Sequence, residues 1–300
     1  MPPLPRTLFL ATRPMFFPAA ALPVAVGSAW GIHRSGHVDL TALILALAGM
    51  ICLHAGANVL NDVGDELNGA DRLNTDDRIT PFTGGSRFIQ DGVLSLRAMA
   101  VWGGILLLAG GLIGGILWLS KGQTVLVFGA AGVALALAYS LPPFSLVSRG
   151  LGEAAVAIGF GLPVVACSWL QSGGFGLEAL LAAVIVGSWT AAILIVNEVP
   201  DLRPDEQAGK RTLVVRLGMR GAPSLYLSVQ AVAAALQLAL GWLSNLPPWA
   251  TVPPLALMLA ALAAAALMMR GRPGQLAAIR LTLAIHLLGG IGLAAAALLA

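Results

Sequence analysis

Charge is scarce in this sequence. Asp, Glu, Lys and Arg together make up 10% of its 300 residues, against about a quarter in a soluble domain, and the shortage excludes an ordinary water-soluble fold. Cysteine is nearly absent as well. The two present, Cys52 and Cys167, lie inside apolar runs and read as small core residues, which excludes a disulfide framework. The formal net charge of +3 gives no basis for a nucleic-acid partner, and none is expected. The N-terminus, MPPLPRTLFLATRPMFF, has no small-residue cleavage site ahead of a polar stretch. It reads as a short lead into the first span rather than a removable signal.

In place of charge there is hydrophobicity: 58% of residues are apolar and mean hydropathy is +0.86. Runs of about 18 or more apolar residues, long enough to cross ~30 Å of hydrocarbon, recur along the chain. Backbone polar groups in lipid have to be satisfied within each segment, so the runs are expected to be helices. The expected fold is all-α: a polytopic membrane protein of one domain, residues 1–300, with nine transmembrane helices near 15–32, 38–60, 97–119, 123–140, 151–171, 177–199, 222–244, 250–269 and 279–299. Most connections are short, but 61–96 and 200–221 are long. With these spans, fifteen of the seventeen Lys and Arg fall on one side, and only Arg34 and Lys121 on the other. Lys and Arg mark the cytoplasmic side. The N-terminus and both long connections are therefore expected in the cytoplasm, on a bacterial inner membrane, with the C-terminus outside. Twelve of the fourteen acidic residues share that side, Asp39 and Glu178 being the exceptions.

The acids are concentrated. NVLNDVGDELNGADRLNTDDRITPFTGGSR, residues 58–87, holds six acidic residues and four asparagines. If the second span continues past Leu60 as a helix, Asn58, Asn61, Asp62 and Asp65 stand at i, i+3, i+4 and i+7, on one face. Asn68 and Gly69 end that helix, and Asp71 follows. The second cluster, NEVPDLRPDEQAGKRTL, spaces Asn197, Asp201 and Asp205 by four, although Pro200 and Pro204 argue against a continuous helix there. Carboxylates crowded at a membrane helix end repel one another and are costly without a partner. Their hard oxygens suit Mg²⁺, which is usually held by one or two carboxylates together with substrate phosphates. Two such clusters facing each other would hold two ions on one diphosphate. Arg78, Arg87, Lys210 and Arg211 would offset the remaining phosphate charge. The glycines of TGGSR permit tight turns or close backbone approach. Asp76, Asp77 and Asp91 read as solvated loop charges, and His54 and His286 as packing histidines.

On these motifs the chain resembles the UbiA superfamily of intramembrane aromatic prenyltransferases. NDVGDELNGAD resembles the first Asp-rich motif and DLRPDEQAGKRTLVVRLG the second, and span number and loop placement agree over essentially the whole chain. In many members the third acid of the first motif would fall at Gly69; here it is Asp71. This spacing, with ITPFTGGSR, YSLPPFSLVSRGLGE (139–153) and NEVPDLRPDEQAGKRTLVVRLG, is most similar to the menaquinone branch, the 1,4-dihydroxy-2-naphthoate prenyltransferases. The resemblance implies a helix bundle around a cavity open to the cytoplasmic side, Mg²⁺ as cofactor, and a polyprenyl diphosphate, an aromatic acceptor and the lipid bilayer as partners. It implies Asn61, Asp65 and Asp71 on one Mg²⁺ and Asp201 and Asp205 on the other, with Asp62 ligating or orienting its neighbours. Arg13 and Arg78 would touch diphosphate, Lys210 or Arg211 would complete the clamp, and Arg87 stands near it. Tyr139 and Arg149 would flank the acceptor ring, and Asn58 and Asn197 would face substrate. Asp65, Asp201, Asp205 and Arg78 carry the chemistry in this scheme.

That chemistry is ionisation of an allylic C–O bond, with the cation captured by an electron-rich ring inside a cavity that excludes water. For a naphthoate acceptor, decarboxylation accompanies prenylation. A secondary transporter is the competing class, but its acids belong near the bilayer midplane, and the span interiors here are almost free of charge. A purely structural subunit would explain the spans and not the two motifs. Other acceptors in the same superfamily (4-hydroxybenzoate, homogentisate, chlorophyllide, haem, glycerol lipid) stay open, as do prenyl length and oligomeric state.

Overall fold

The computed structural model describes residues 4–74, 79, 81–246 and 251–300. Among these residues every regular element is helical. A short helix α1 (Leu4–Ala11) precedes α2 (Phe17–Ser35) and α3 (Leu40–Asn68). A single turn, α4 (Ala70–Leu73), leads to a long loop, then α5 (Leu96–Lys121), α6 (Thr124–Ser140), α7 (Gly152–Ser172), α8 (Leu177–Gln207), α9 (Leu213–Leu243), α10 (Val252–Met268) and α11 (Gly271–Leu299). Each apolar run expected to span is a helix. By length and composition seven of the described helices can cross a membrane, whereas α6 and α10 are 17 residues long.

Polar residues at the ends set where these helices start. Asp39 caps α3 by accepting from the Ala42 N–H at 2.9 Å, Ser95 caps α5 through Ala98 at 3.1 Å, and Thr212 caps α9 through Val215 at 3.1 Å. The helices then pack as a ring: α3 against α5 and α6, α6 against α7, α7 against α2 and α8, α8 against α9, then α10, and α11 back onto α2. The most enclosed are α8 and α2. Close approach there depends on missing side chains. Gly27 and Gly31 of α2 face the α7 backbone at Val164 and Ser168, where a Cβ would not fit. Far from the acid clusters, Asp39 pairs with Lys121 at 2.6 Å and exchanges two hydrogen bonds with Gln171, at 2.8 and 3.0 Å. That clasp ties the α2–α3 connection to the ends of α5 and α7.

Both long connections are shorter than the sequence suggested. α3 runs on to Asn68, so Asn58, Asn61, Asp62 and Asp65 do share one helix. α8 runs through Pro200 and Pro204 to Gln207, against the expectation of a break. Each proline removes an N–H, but Val196, Val199, Pro200 and Pro204 are buried among neighbouring helices. Packing of this kind holds a membrane helix together across a proline. Gly218, at φ 68° and ψ 177°, interrupts α9 near its start, so its long apolar stretch begins close to the expected residue.

Candidate active site

A cavity of about 750 Å³ opens between α2, α3, α5, α6, α7 and α8. Along α3 its wall runs from Leu45 to Asp65, about 30 Å at 1.5 Å per residue, close to the thickness of a hydrocarbon core. One end is apolar, with Leu45, Met50, Leu117, Val125, Phe128 and Leu170 among its walls. The other end collects the polar residues of both acidic motifs. Among the described residues, five acids (Asp65, Asp71, Glu198, Asp201, Asp205) and two strong bases (Arg13, Lys210) line the cavity.

The first motif is built in two pieces. α3 stops at Gly69, whose left-handed backbone (φ 83°) closes the helix. Asp71 then sits on α4, buried, with Oδ2 unpartnered among the described groups. It packs against Gly85, where a Cβ would overlap that oxygen. Arg87 donates to the carbonyls of Asp71 and, at 3.4 Å, Asn74, so it holds the α4 backbone and does not line the cavity. The second motif is one helical face: Asn197, Asp201 and Asp205 all line the cavity from α8. The pieces meet directly. Lys210 Nζ lies 3.0 Å from Asp65 Oδ1 and 3.1 Å from Asp205 Oδ1. Asn74 donates to Asp201 Oδ1 at 2.7 Å, and Thr83 and the Gly84 N–H also reach Asp201.

Negative charge is in excess here, and the titration of the groups outside the spans reflects it. Burial, reinforced by the Asp65 and Asp62 carboxylates, pushes the Asp71 carboxyl up to about 8. Burial alone would lower the Lys210 ammonium, but Asp65 and Asp205 outweigh it and hold it well above its ordinary range. Burial opposes Arg13 in the same way, and Asp62, Asp71, Asp65 and Asp201 hold it above its ordinary range.

This donor set suits Mg²⁺. No three of the described His, Cys, Asp or Glu side chains are already gathered as a metal cage. Mg²⁺ does not ask for one, since it usually takes one or two carboxylates and completes its shell with water and phosphate oxygens. Carboxylates facing each other across an open cavity, one with an orphaned buried oxygen, meet that requirement.

The remaining expected site residues divide. Arg13 lines the cavity and pairs with Asp62 at 3.1 Å, while Asp62 also accepts from the Ser86 N–H at 3.0 Å. Asp62 is therefore committed to Arg13 and the glycine loop, and is not on the cavity wall. Asn58 and Asn61 line the cavity. Asn58 donates to Thr12 O at 3.1 Å and contacts His54, and Asn61 donates to Ser140 at 3.0 Å. His54 also lines the cavity and packs edge-on against Phe17 and Phe160, and His286 contacts Thr190. Tyr139 lines the cavity. Arg149 does not: it is turned outward to Pro143 O at 2.6 Å, and its carbonyl accepts from Arg216 at 2.7 Å. Arg211 is exposed and contributes its backbone N–H to Ser148 O at 2.9 Å. Asp91 is exposed. Asp76, Asp77 and Arg78 lie outside the described residues. Three residues were not anticipated: Asn74, Thr83 and Glu198. Glu198 had a signal, because it stands at i with Asp201 at i+3 and Asp205 at i+7, the same spacing that marks the face of α3.

Comparison with known proteins agrees with this geometry. Residues 20–288 match the UbiA prenyltransferase family. The chain is 33% identical over 262 residues to the 2-carboxy-1,4-naphthoquinone phytyltransferase of Synechocystis sp., covering 83% of this chain and 78% of that one. It is 31% identical to the 1,4-dihydroxy-2-naphthoate octaprenyltransferase of Mycobacterium tuberculosis, covering 88% and 86%. Its fold is shared with a UbiA homolog from Archaeoglobus fulgidus solved with GPP and Mg²⁺, with a TM-score of 0.66 at 15% identity, covering 93% of this chain and 99% of that one. This chain is therefore an integral membrane prenyltransferase of the UbiA family.

Proposed function

We propose that the enzyme transfers the prenyl group of a polyprenyl diphosphate to 1,4-dihydroxy-2-naphthoate, a step of menaquinone biosynthesis, with Mg²⁺ as cofactor. The observation that carries this reading is the polarity of the cavity: two acid-bearing helix ends bridged by Lys210 at one pole, and an apolar channel running the depth of the bundle. A prenyl diphosphate has that polarity. The naphthoate-type relatives support the acceptor, and the Mg²⁺ bound in the archaeal homolog supports the cofactor.

Asn61, Asp65, Asp71, Asp201 and Asp205 would hold the metal, which when bound neutralises the diphosphate and eases its departure. The chain's own groups do the rest. Arg13 and Lys210 present fixed positive charge to the phosphates, and Arg78 joins them on the strength of its place in the sequence. Asn58 and Asn197 position the substrate at the junction of the polar and apolar ends, and Tyr139 borders the acceptor. Apolar walls such as Leu53 and Phe160 keep water from the allylic cation. The nine helices are taken as nine spans, with both acidic helix ends and the N-terminus in the cytoplasm and the C-terminus outside. Reporter fusions after residues 90 and 215 are expected to report cytoplasm, and a periplasmic signal from either overturns that topology.

The test of function is direct. Purified enzyme, Mg²⁺ and a radiolabelled polyprenyl diphosphate are offered the naphthoate, 4-hydroxybenzoate and homogentisate. Label is expected in the naphthoate product and nowhere after chelation. Preferential labelling of another ring overturns the acceptor, and turnover in chelator overturns the cofactor.

A further inference from the structure

Glu198 has no place in the scheme above, yet it lines the cavity from α8. It is 5% exposed, and no described N–H or hydroxyl group donates to either carboxyl oxygen. Beside it stands Glu153, from the first turn of α7, equally buried. Glu153 Oε1 accepts the Leu213 N–H at 3.2 Å, while its Oε2 is unpartnered. Tyr139, Asp65, Asp205 and Lys210 line the same cavity as Glu198. Two carboxyl groups brought together in a site of low dielectric repel each other when both are charged. Desolvating such a group without a partner is costly. Lys210 is already engaged by Asp65 and Asp205, so what Glu198 lacks is a hydrogen-bond donor from inside the cavity.

Resting on the reading of the site as a prenyl transfer centre, we propose that Glu198 accepts the hydroxyl proton of the aromatic acceptor, with Glu153 as the residue that positions it. A phenolic O–H is the kind of donor the unpartnered oxygen calls for, and Tyr139 adds an aromatic surface to the same cavity. In the step, the donor's C1–O bond breaks and its electron pair leaves with diphosphate. The ring carbon that bears the carboxylate forms the new C–C bond to C1. The hydroxyl proton passes to Glu198, leaving a dienone whose only charge is that of its carboxylate. Loss of CO₂ returns its bonding pair to the ring, and Glu198 gives the proton back to the ring oxygen. Atoms and charge balance, and the carboxyl pair ends as it began.

The experiment uses full-length enzyme and three carboxyl variants: Glu198→Gln, Glu198→Asp and Glu153→Gln. Glu198→Gln is expected to lower kcat about a hundredfold or more, the usual worth of a positioned proton acceptor. Mg²⁺-dependent binding of the prenyl diphosphate should stay within about twofold of wild type, because uniform donor binding is separable from the chemical step. Glu198→Asp should lose less than Glu198→Gln, and Glu153→Gln should fall between wild type and Glu198→Gln. The distinguishing readout is acceptor acidity. Ring-halogenated naphthoates with more acidic hydroxyls should recover much of the Glu198→Gln loss and give wild type little. Wild-type-like kcat in Glu198→Gln overturns the proposal, as does joint loss of donor binding and kcat, which would put Glu198 in the diphosphate site. Should Glu198→Gln fail to fold, Glu198→Asp carries the test: the same acidity response supports the proposal, and a flat response overturns it. Failure of wild type to prenylate any naphthoate strikes the functional reading instead, and is distinguishable from a failure confined to the variants.

Discussion

The two acidic helix ends reach the same cavity by different constructions. On α8 the polar residues form one uninterrupted face, fixed by a helix that is buried among its neighbours. On the other side, α3 delivers Asn58, Asn61 and Asp65, but Asp71 arrives only after a glycine-terminated break and is held by the 84–87 loop. Placement on α8 is thus a property of a helix, whereas one of the first cluster's two cavity carboxylates, Asp71, owes its placement to a loop. Loops open at lower cost than packed helices. The first cluster is therefore the adjustable jaw and α8 the fixed one, and the variants below are chosen to break that distinction or sharpen it.

The largest effect is expected where both constructions supply a carboxylate to the centre. Asp65→Ala and Asp201→Ala should each lower kcat/KM by roughly three orders of magnitude, the several kcal/mol that metal-assisted charge stabilisation contributes. Neither touches the apolar packing, and in Asp65→Ala the Lys210 ammonium keeps Asp205 as its partner, so monodispersity in detergent should be unchanged. Near-wild-type turnover of either variant at saturating Mg²⁺ would remove that residue from the metal set.

Next comes the link between the jaws. Lys210→Met takes the ammonium from between Asp65 and Asp205. Breaking a buried ion pair on one side costs roughly 3–5 kcal/mol, so thermal stability in chelator should fall markedly. Millimolar Mg²⁺ should restore much of it by supplying the missing positive charge. Stability that falls equally with and without Mg²⁺ would mean that metal and ammonium answer to different carboxylates.

Gly85→Ala acts on the adjustable jaw alone. Its φ of 70° costs a side chain about 1–3 kcal/mol, and the new Cβ would push Asp71 aside. About a tenfold loss of kcat/KM is expected, near 1.4 kcal/mol, together with a raised Mg²⁺ requirement. Loss without any change in Mg²⁺ requirement would show that the loop serves something other than Asp71.

Much of this arrangement was legible in the chain. The helices were, because apolar runs bounded by charge leave the backbone no other way to satisfy itself in lipid. The cavity face of α3 was legible at i, i+3 and i+7 of its spacing, while Asp62 at i+4 turns to Arg13 and off the cavity wall. Three things were not. The course of α8 beyond Pro200 was hidden, since a proline reads as a break unless packing overrides it, and packing is not written locally. The cations were hard to sort, because the positive-inside rule and a phosphate clamp put Arg and Lys at the same end. Arg87, Arg149 and Arg211 proved to hold backbone or face outward, while Lys210 turned inward. Asn74 and Thr83 reach Asp201 only because the loop folds back across α8, a contact between distant positions that no spacing encodes.

The smallest effect is expected on the fixed jaw. Pro200 stands one residue before Asp201 and denies the Val196 carbonyl its i+4 donor. Pro200→Ala restores that N–H, and alanine is about 3 kcal/mol more favourable than proline in an unsupported helix interior. If α8 is set by its packing, the backbone already follows a helical course there and the substitution has little to change. Thermal stability should then hold or rise slightly, and kcat/KM should stay within about threefold, well under the 1.4 kcal/mol that a tenfold change represents. A proline can also bend a helix by its ring and its missing bond. Were that bend what aims Asp201 and Asp205 into the cavity, straightening α8 would lower activity as much as Gly85→Ala does. Equal losses in the two variants would end the distinction between a jaw built on a helix and a jaw built on a loop. A loss confined to Gly85→Ala would leave the distinction standing, with a loop setting Asp71 and a packed helix setting Asp201 and Asp205.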